Sequence, residues 1–175
     1  MAVPLYQASV PVFLHHLRNL RHILEMGEAH ATSKGFDPAV LLQTRLTPDM
    51  FPLLRQVQIA CDLAKNGAAR LAGVEPMAFA DGETDFAGLY ARIDRVIEYL
   101  GGFNAGQIDD QESRAIVISV PNAGELNFTG QSYLLQFSLP NLIFHISMTY
   151  AILRHVGVGL GKKDFLGKIA QYADA

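Results

Sequence analysis

The chain carries a single cysteine, Cys61, in 175 residues, and it has no tryptophan. One thiol excludes an internal disulfide framework and a cysteine-rich zinc knuckle, and it fits a reducing compartment. A basic excess is missing as well: 14 Lys and Arg stand against 17 Asp and Glu, for a formal net charge of -3. No positive field is available to hold nucleic acid or an anionic membrane. Apolar runs are interrupted by His, Arg or Glu well short of the ~20 residues that span a bilayer. The stretch Met1 to Gln7 also lacks the charged start and apolar core of a secretory leader. Together these absences lead to the expectation of a cytoplasmic protein with neither nucleic acid nor membrane as partner.

Half the residues are hydrophobic, enough for one domain over residues 1–175 to bury its own core. Tyr6, Val10, Phe13, Leu17, Leu20 and Leu24 recur at steps of four and three, which predicts a first helix with Pro11 in its first turn or bending it. Thr47-Pro48-Asp49 reads as the start of a second helix, with Met50, Leu54, Val57, Cys61, Ala64, Ala68 and Leu71 as its apolar stripe and Gly73 as its stop. Thr84 is the expected cap of a third, whose stripe is Phe86, Leu89, Ile93, Val96, Leu100 and Phe103. The β-prone segments Ile116–Val120 and Leu126–Thr129 flank Pro121-Asn122-Ala123-Gly124, a turn sequence, and predict a small hairpin. A last helix is expected from Ser132 to His155, bent at Pro140, with Leu134, Phe137, Asn141, Phe144, Met148, Ala151 and His155 on one stripe. The result is a mainly α protein: an up-and-down four-helix bundle with a β-hairpin between its third and fourth helices.

Sites in such bundles are assembled from side chains on facing helices, so a polar residue inside an apolar stripe is the useful signal. Asn141 is one, and His145 lies one turn further along the same helix. Cys61 sits in the apolar stripe of the second helix and reads as core. His15, His16 and His22, beside Arg18 and Arg21, read as a solvated or intersubunit face. The run Gly157 to Lys163 has the wrong spacing for a phosphate loop, and Asp109-Asp110-Gln111-Glu112 lacks the pattern of a calcium loop.

The stretch Asn141-Leu-Ile-Phe-His145, followed by Leu153-Arg154-His155-Val156-Gly157, resembles the last helix of DinB/YfiT-like proteins, a superfamily of helical-bundle metalloenzymes. The helix order, the insertion before the last helix and the tail Gly161 to Gly167 are similar to a branch known only as a domain of unknown function. In that superfamily a His-x-x-x-His pair on the last helix joins a histidine early in the second helix to hold a divalent metal. The resemblance places His145 at the second position of the pair, Asn141 at the first, and Gln56 at the helix-two position. It also implies a homodimer.

An amide oxygen is a poor replacement for imidazole around a divalent transition metal, and this set offers one good ligand, His145. For His145 three readings stand: a buried hydrogen-bonded histidine, part of a small-molecule pocket, or a metal ligand. The reading taken forward is a metal-independent small-molecule-binding or interaction protein with no cofactor, its pocket lined by Gln56, Asn141, His145, Tyr6 and Phe144. The alternative is an enzyme of the thiol-dependent transferase or hydrolase class, using zinc, nickel or iron at His145.

Overall fold

The computed structural model describes residues 3–120 and 124–169. Four helices form an up-and-down bundle: α1 (Val10–Lys34), α3 (Leu53–Ala72), α4 (Phe86–Gly101) and α7 (Leu139–His155). Shorter helices punctuate the connections, namely α2 (Ala39–Leu42), α5 (Ala105–Ile108), α6 (Gly130–Ser132) and α8 (Lys162–Leu166). The antiparallel hairpin of β1 (Ala115–Val120) and β2 (Gly124–Thr129) precedes α7, with Ile116 opposite Phe128 and Ile118 opposite Leu126. Ile116 and Ile118 are the buried positions of β1 and lean on the bundle, which a two-stranded sheet requires. The expected turn at Pro121-Asn122-Ala123 lies outside the described residues.

The first stripe holds: Val10, Phe13, Leu17, Leu20 and Leu24 are buried, and Pro11 sits in the first turn, where its missing N–H costs nothing. Gly35 ends α1 at φ +76°, and its N–H and that of Phe36 close on Thr32 and Ala31.

The second helix starts later than expected. Thr47-Pro48-Asp49 forms a turn closed by the Met50 N–H on the Thr47 carbonyl, and α3 begins after Pro52. The Leu53 N–H reaches back to the Thr44 carbonyl at 2.9 Å, so the chain doubles over before the helix starts. Asp85, not Thr84, caps α4 by accepting from the Gly88 N–H at 2.8 Å.

The last helix departs most. A π-helical segment, Tyr133–Ser138, precedes α7 and places Pro140 in the first turn of α7, so no ordinary interior turn has to absorb the proline. One widened turn also rotates everything after it. The buried positions are Ser138, Leu142, Ile146, Thr149, Ile152 and Leu153, not the expected Asn141, Phe144, Met148 and His155.

Candidate functional site

α3 lies between α7 and α4, and it carries a buried polar side chain toward each. On the α7 side Gln56 faces His145, whose Nδ1 lies 2.7 Å from the Gln56 Oε1. The Gln56 Nε2 donates to the Phe51 carbonyl at 3.0 Å, which fixes which end of the amide is oxygen. An amide oxygen only accepts, so the His145 Nδ1 carries the proton and the Nε2 keeps its lone pair. Burial, and then the positive charge of Arg55, push the His145 pKa down to about 4, so the ring is neutral at physiological pH. The Nε2 has no partner among the described residues and is not among their fully buried polar atoms, so it reaches solvent. Phe144 meets the imidazole edge-on at 5.2 Å. Phe144 is 49% exposed, so one aromatic ring borders this polar spot from solvent, while Phe51 meets it through its backbone carbonyl.

The other candidates lie differently. Asn141 turns away from His145 and donates to the Phe137 carbonyl of its own helix at 2.7 Å. Tyr6 packs half-buried against the core, and its backbone N–H binds the Asp109 carboxylate at 2.8 Å. The structure therefore brings together Gln56, His145 and Phe144.

The donor chemistry does not suit a resident divalent metal. Of the three superfamily positions, Gln56 has its oxygen committed to His145 and its nitrogen to a carbonyl, while Asn141 points into its own helix. One imidazole nitrogen remains, where three strong ligands are needed.

On its opposite side α3 carries a larger polar assembly that the sequence reading missed. The Arg92 side chain of α4 is 1% exposed and is gripped at 3.0 Å by each of Asp62, Asp81 and Glu83. Gln58 donates to Glu83 at 2.8 Å, Arg55 pairs with Asp81, and Lys65 pairs with Asp62 and donates to the Met77 carbonyl. Three cations thus meet three carboxylates. Phe79 lies beneath the Lys65, Arg92 and Arg95 cations.

The network pins residues 74–85, an otherwise irregular connection, across the α3–α4 pair. Burial works against ionisation of Glu83 and Asp81, yet hydrogen bonds from Gln58 and Arg92 to Glu83, and from Arg55 and Arg92 to Asp81, hold both carboxyls below their usual range. Arg92 also reaches Cys61, which the helix register of α3 alone could not reveal. Burial dominates there and pushes the thiol up to about 12, so Cys61 is core. The sequence signal for the network was Arg55, Gln58, Asp62 and Lys65, polar residues at steps of three and four on α3.

The paired histidines of α1 are covered, not solvated. The His15 Nε2 lies 2.7 Å from the Leu166 carbonyl, Asn19 donates to the Phe165 and Leu166 carbonyls, and His16 faces the Phe165 ring. These contacts dock α8 on α1. Burial, then the neighbouring His15, lowers the His16 pKa.

Among the described residues, no helix is long and apolar enough to cross a membrane. Residues 5–166 match the model of a family described as Domain of unknown function (DUF1993). Among solved structures, the chain is similar to a protein described as a DinB family member from Shewanella denitrificans. That likeness has 43% identity and a TM-score of 0.87, and it covers 97% of this chain and 96% of that one. No curated protein matches the chain.

Proposed function

The chain belongs to the DinB-like family of unknown function DUF1993, and on that footing we propose that it is a metal-independent binding protein. Its ligand is a small molecule with an O–H or N–H donor, accepted by the Nε2 of His145. The observation that carries this reading is the 2.7 Å contact between His145 Nδ1 and Gln56 Oε1, which leaves a neutral acceptor facing outward. Phe144 supplies an apolar flank, the usual companion of a few placed polar groups.

The test begins with plasma mass spectrometry on untagged, dialysed protein, followed by an NMR screen of hydroxyl- and amide-bearing fragments. Substoichiometric metal, with fragment-induced shifts at the His145 ring that survive a chelator and vanish in His145→Ala, is the expected result. Near one equivalent of zinc, nickel or iron that is lost in His145→Ala would overturn it and restore the metalloenzyme reading.

A second reading rests on α7 itself. From Leu126 through Leu153 there is no Asp, Glu, Lys or Arg, and Ile143 and Phe144 of α7, with Leu135 of the π-helical segment before it, are exposed. A helix apolar on both sides favours burial against another chain, and a second copy of this one is the occupant proposed. Light scattering across a concentration series decides it: a dimer that Ile143→Glu dissociates supports the reading, and a strict monomer removes it.

A further inference from the structure

A cleft of about 470 Å³ lies at the C-terminal end of α3, between the segment Gly73–Pro76 and strand β1. It is some 14 residues along α3 from Gln56, about 21 Å from the His145 spot. Five consecutive residues of β1, Ala115–Ser119, line it. Successive side chains of a strand point to opposite faces, so a cleft that touches every residue in turn is looking at the strand's edge. That edge is free, because β1 pairs only with β2 among the described residues. The cleft therefore offers a row of backbone N–H and C=O groups, which is the template an added strand needs.

Two guanidiniums stand at one end of this row. Arg70 is steadied by the Tyr133 hydroxyl, 3.1 Å from its Nη1, and lies over that ring. The Arg114 side chain has no hydrogen-bond or ion-pair partner among the described residues, and its Nε is fully buried. Its head rests on Gly73, at φ +70°, where any Cβ would collide with it. The Nη atoms are not among the fully buried polar atoms, so this unpaired head reaches solvent beside the cleft it lines, and a carboxylate is the acceptor a guanidinium fork takes best. Glu75, the one carboxylate on the wall, leaves the lining with an excess of positive charge.

We propose that this cleft binds an extended acidic peptide, whose backbone adds a strand to the free edge of β1 and whose carboxylate is held by Arg114 and Arg70. A second copy of the hairpin is a poorer occupant. Its strand, Ala115–Val120, contains no acidic residue and would leave both arginines unpaired.

The test uses the full chain and an N-acetylated pentapeptide of alternating valine and threonine that ends in aspartate, titrated by calorimetry. Three controls accompany it: the same peptide with an asparagine amide end, a version N-methylated at alternate amides, and inorganic phosphate alone. The acidic peptide is expected to bind at least about tenfold more tightly than the amide or the N-methylated form. Arg114→Gln should reduce that preference below about threefold, with unchanged circular dichroism. Glu75→Gln should raise affinity by about two- to threefold, a gain that misfolding cannot produce. Equal binding of the acidic and amide peptides, phosphate binding as tightly as the peptide, or no binding while the chain dimerises through β1 would each overturn the proposal.

Discussion

The two sides of α3 meet their neighbours by opposite means. Gln56, Ala60 and Gly67 share the side toward α7, whereas Arg55, Gln58, Asp62 and Lys65 share a side nearly opposite, toward α4 and residues 74–85. The first is built of small residues, and its fit depends on volume: a Cβ on Gly67 would sit 2.7 Å from the Ser138 Oγ and 3.0 Å from the Phe13 ring. The second buries the charges of Arg92 and Lys65 against carboxylates that keep part of their solvent, and its fit depends on cancellation of three positive against three negative. One side should be sensitive to added atoms and indifferent to salt, the other the reverse.

The sharpest break falls on the charged side. Arg92→Ala would remove the buried cation that three partly exposed carboxylates share, at a cost of about 3 kcal/mol in urea unfolding, the low end for a broken buried pair because Asp62 and Asp81 keep solvent. Arg92→Lys keeps one charge but loses the guanidinium fork, and should fall between that variant and wild type. A loss below about 1 kcal/mol for Arg92→Ala would mean that the network is solvated decoration and that the two sides do not differ.

On the small side, Gly67→Ala sets an overpacking cost of about 1–3 kcal/mol against a helix-propensity gain of about 1 kcal/mol. The expected net is a loss of about 1–2 kcal/mol, unchanged between low and high salt, where the Arg92 variants should shift. Stabilisation by this change would show that Ser138 and Phe13 yield easily, and that close approach is not what holds α3 to α1 and to the π-helical segment before α7.

How much of this was legible follows the same division. Apolar stripes at helical spacing found the core faces of α1, α3 and α4, because burial there repeats every three to four residues without interruption. β-prone segments on either side of a turn sequence found the hairpin. The start of α3 was misread because Thr47-Pro48-Asp49 suits a turn as well as a cap, and only the fold-back from Leu53 to Thr44 decides between them. The face of α7 was misread because one π-helical turn rotates the pattern, and no periodicity counted from Ser132 can anticipate it. Gln56 and His145 were singled out together through the family resemblance. Arg92 was invisible because its partners come from α3 and an irregular connection, so its burial is a tertiary event with no local signature.

Acid should take the two sides apart in separate windows. The folded-state pKa of His145 is depressed to about 4 from 6.5, so the unfolded chain binds the proton first, and stability is lost as pH falls from about 6.5 toward 4. His16, also depressed, acts in the same direction. The carboxyls of Asp81 and Glu83 are held low, so their contribution is present above the ordinary carboxylate range and lost as pH falls through it and below. Urea unfolding followed against pH should therefore show an early decline that His145→Phe diminishes and a later one that it leaves in place. A single decline confined to the carboxylate range would show that the imidazole is not burdened by its surroundings.

The smallest expected effect decides which polar residues of α7 belong together. Asn141→Ala removes a hydrogen bond to a carbonyl of its own helix, worth about 0.5–1.5 kcal/mol, and should leave the NMR titration of His145 where it was. Gln56→Ala removes the only acceptor for the His145 Nδ1–H among the described residues, at about 1–3 kcal/mol, and should move that titration by opening the ring to water. The contrast matters more than either number. If Asn141→Ala shifted His145 as much as Gln56→Ala does, the three superfamily positions would still act as one site, and the small side of α3 would be carrying chemistry as well as packing.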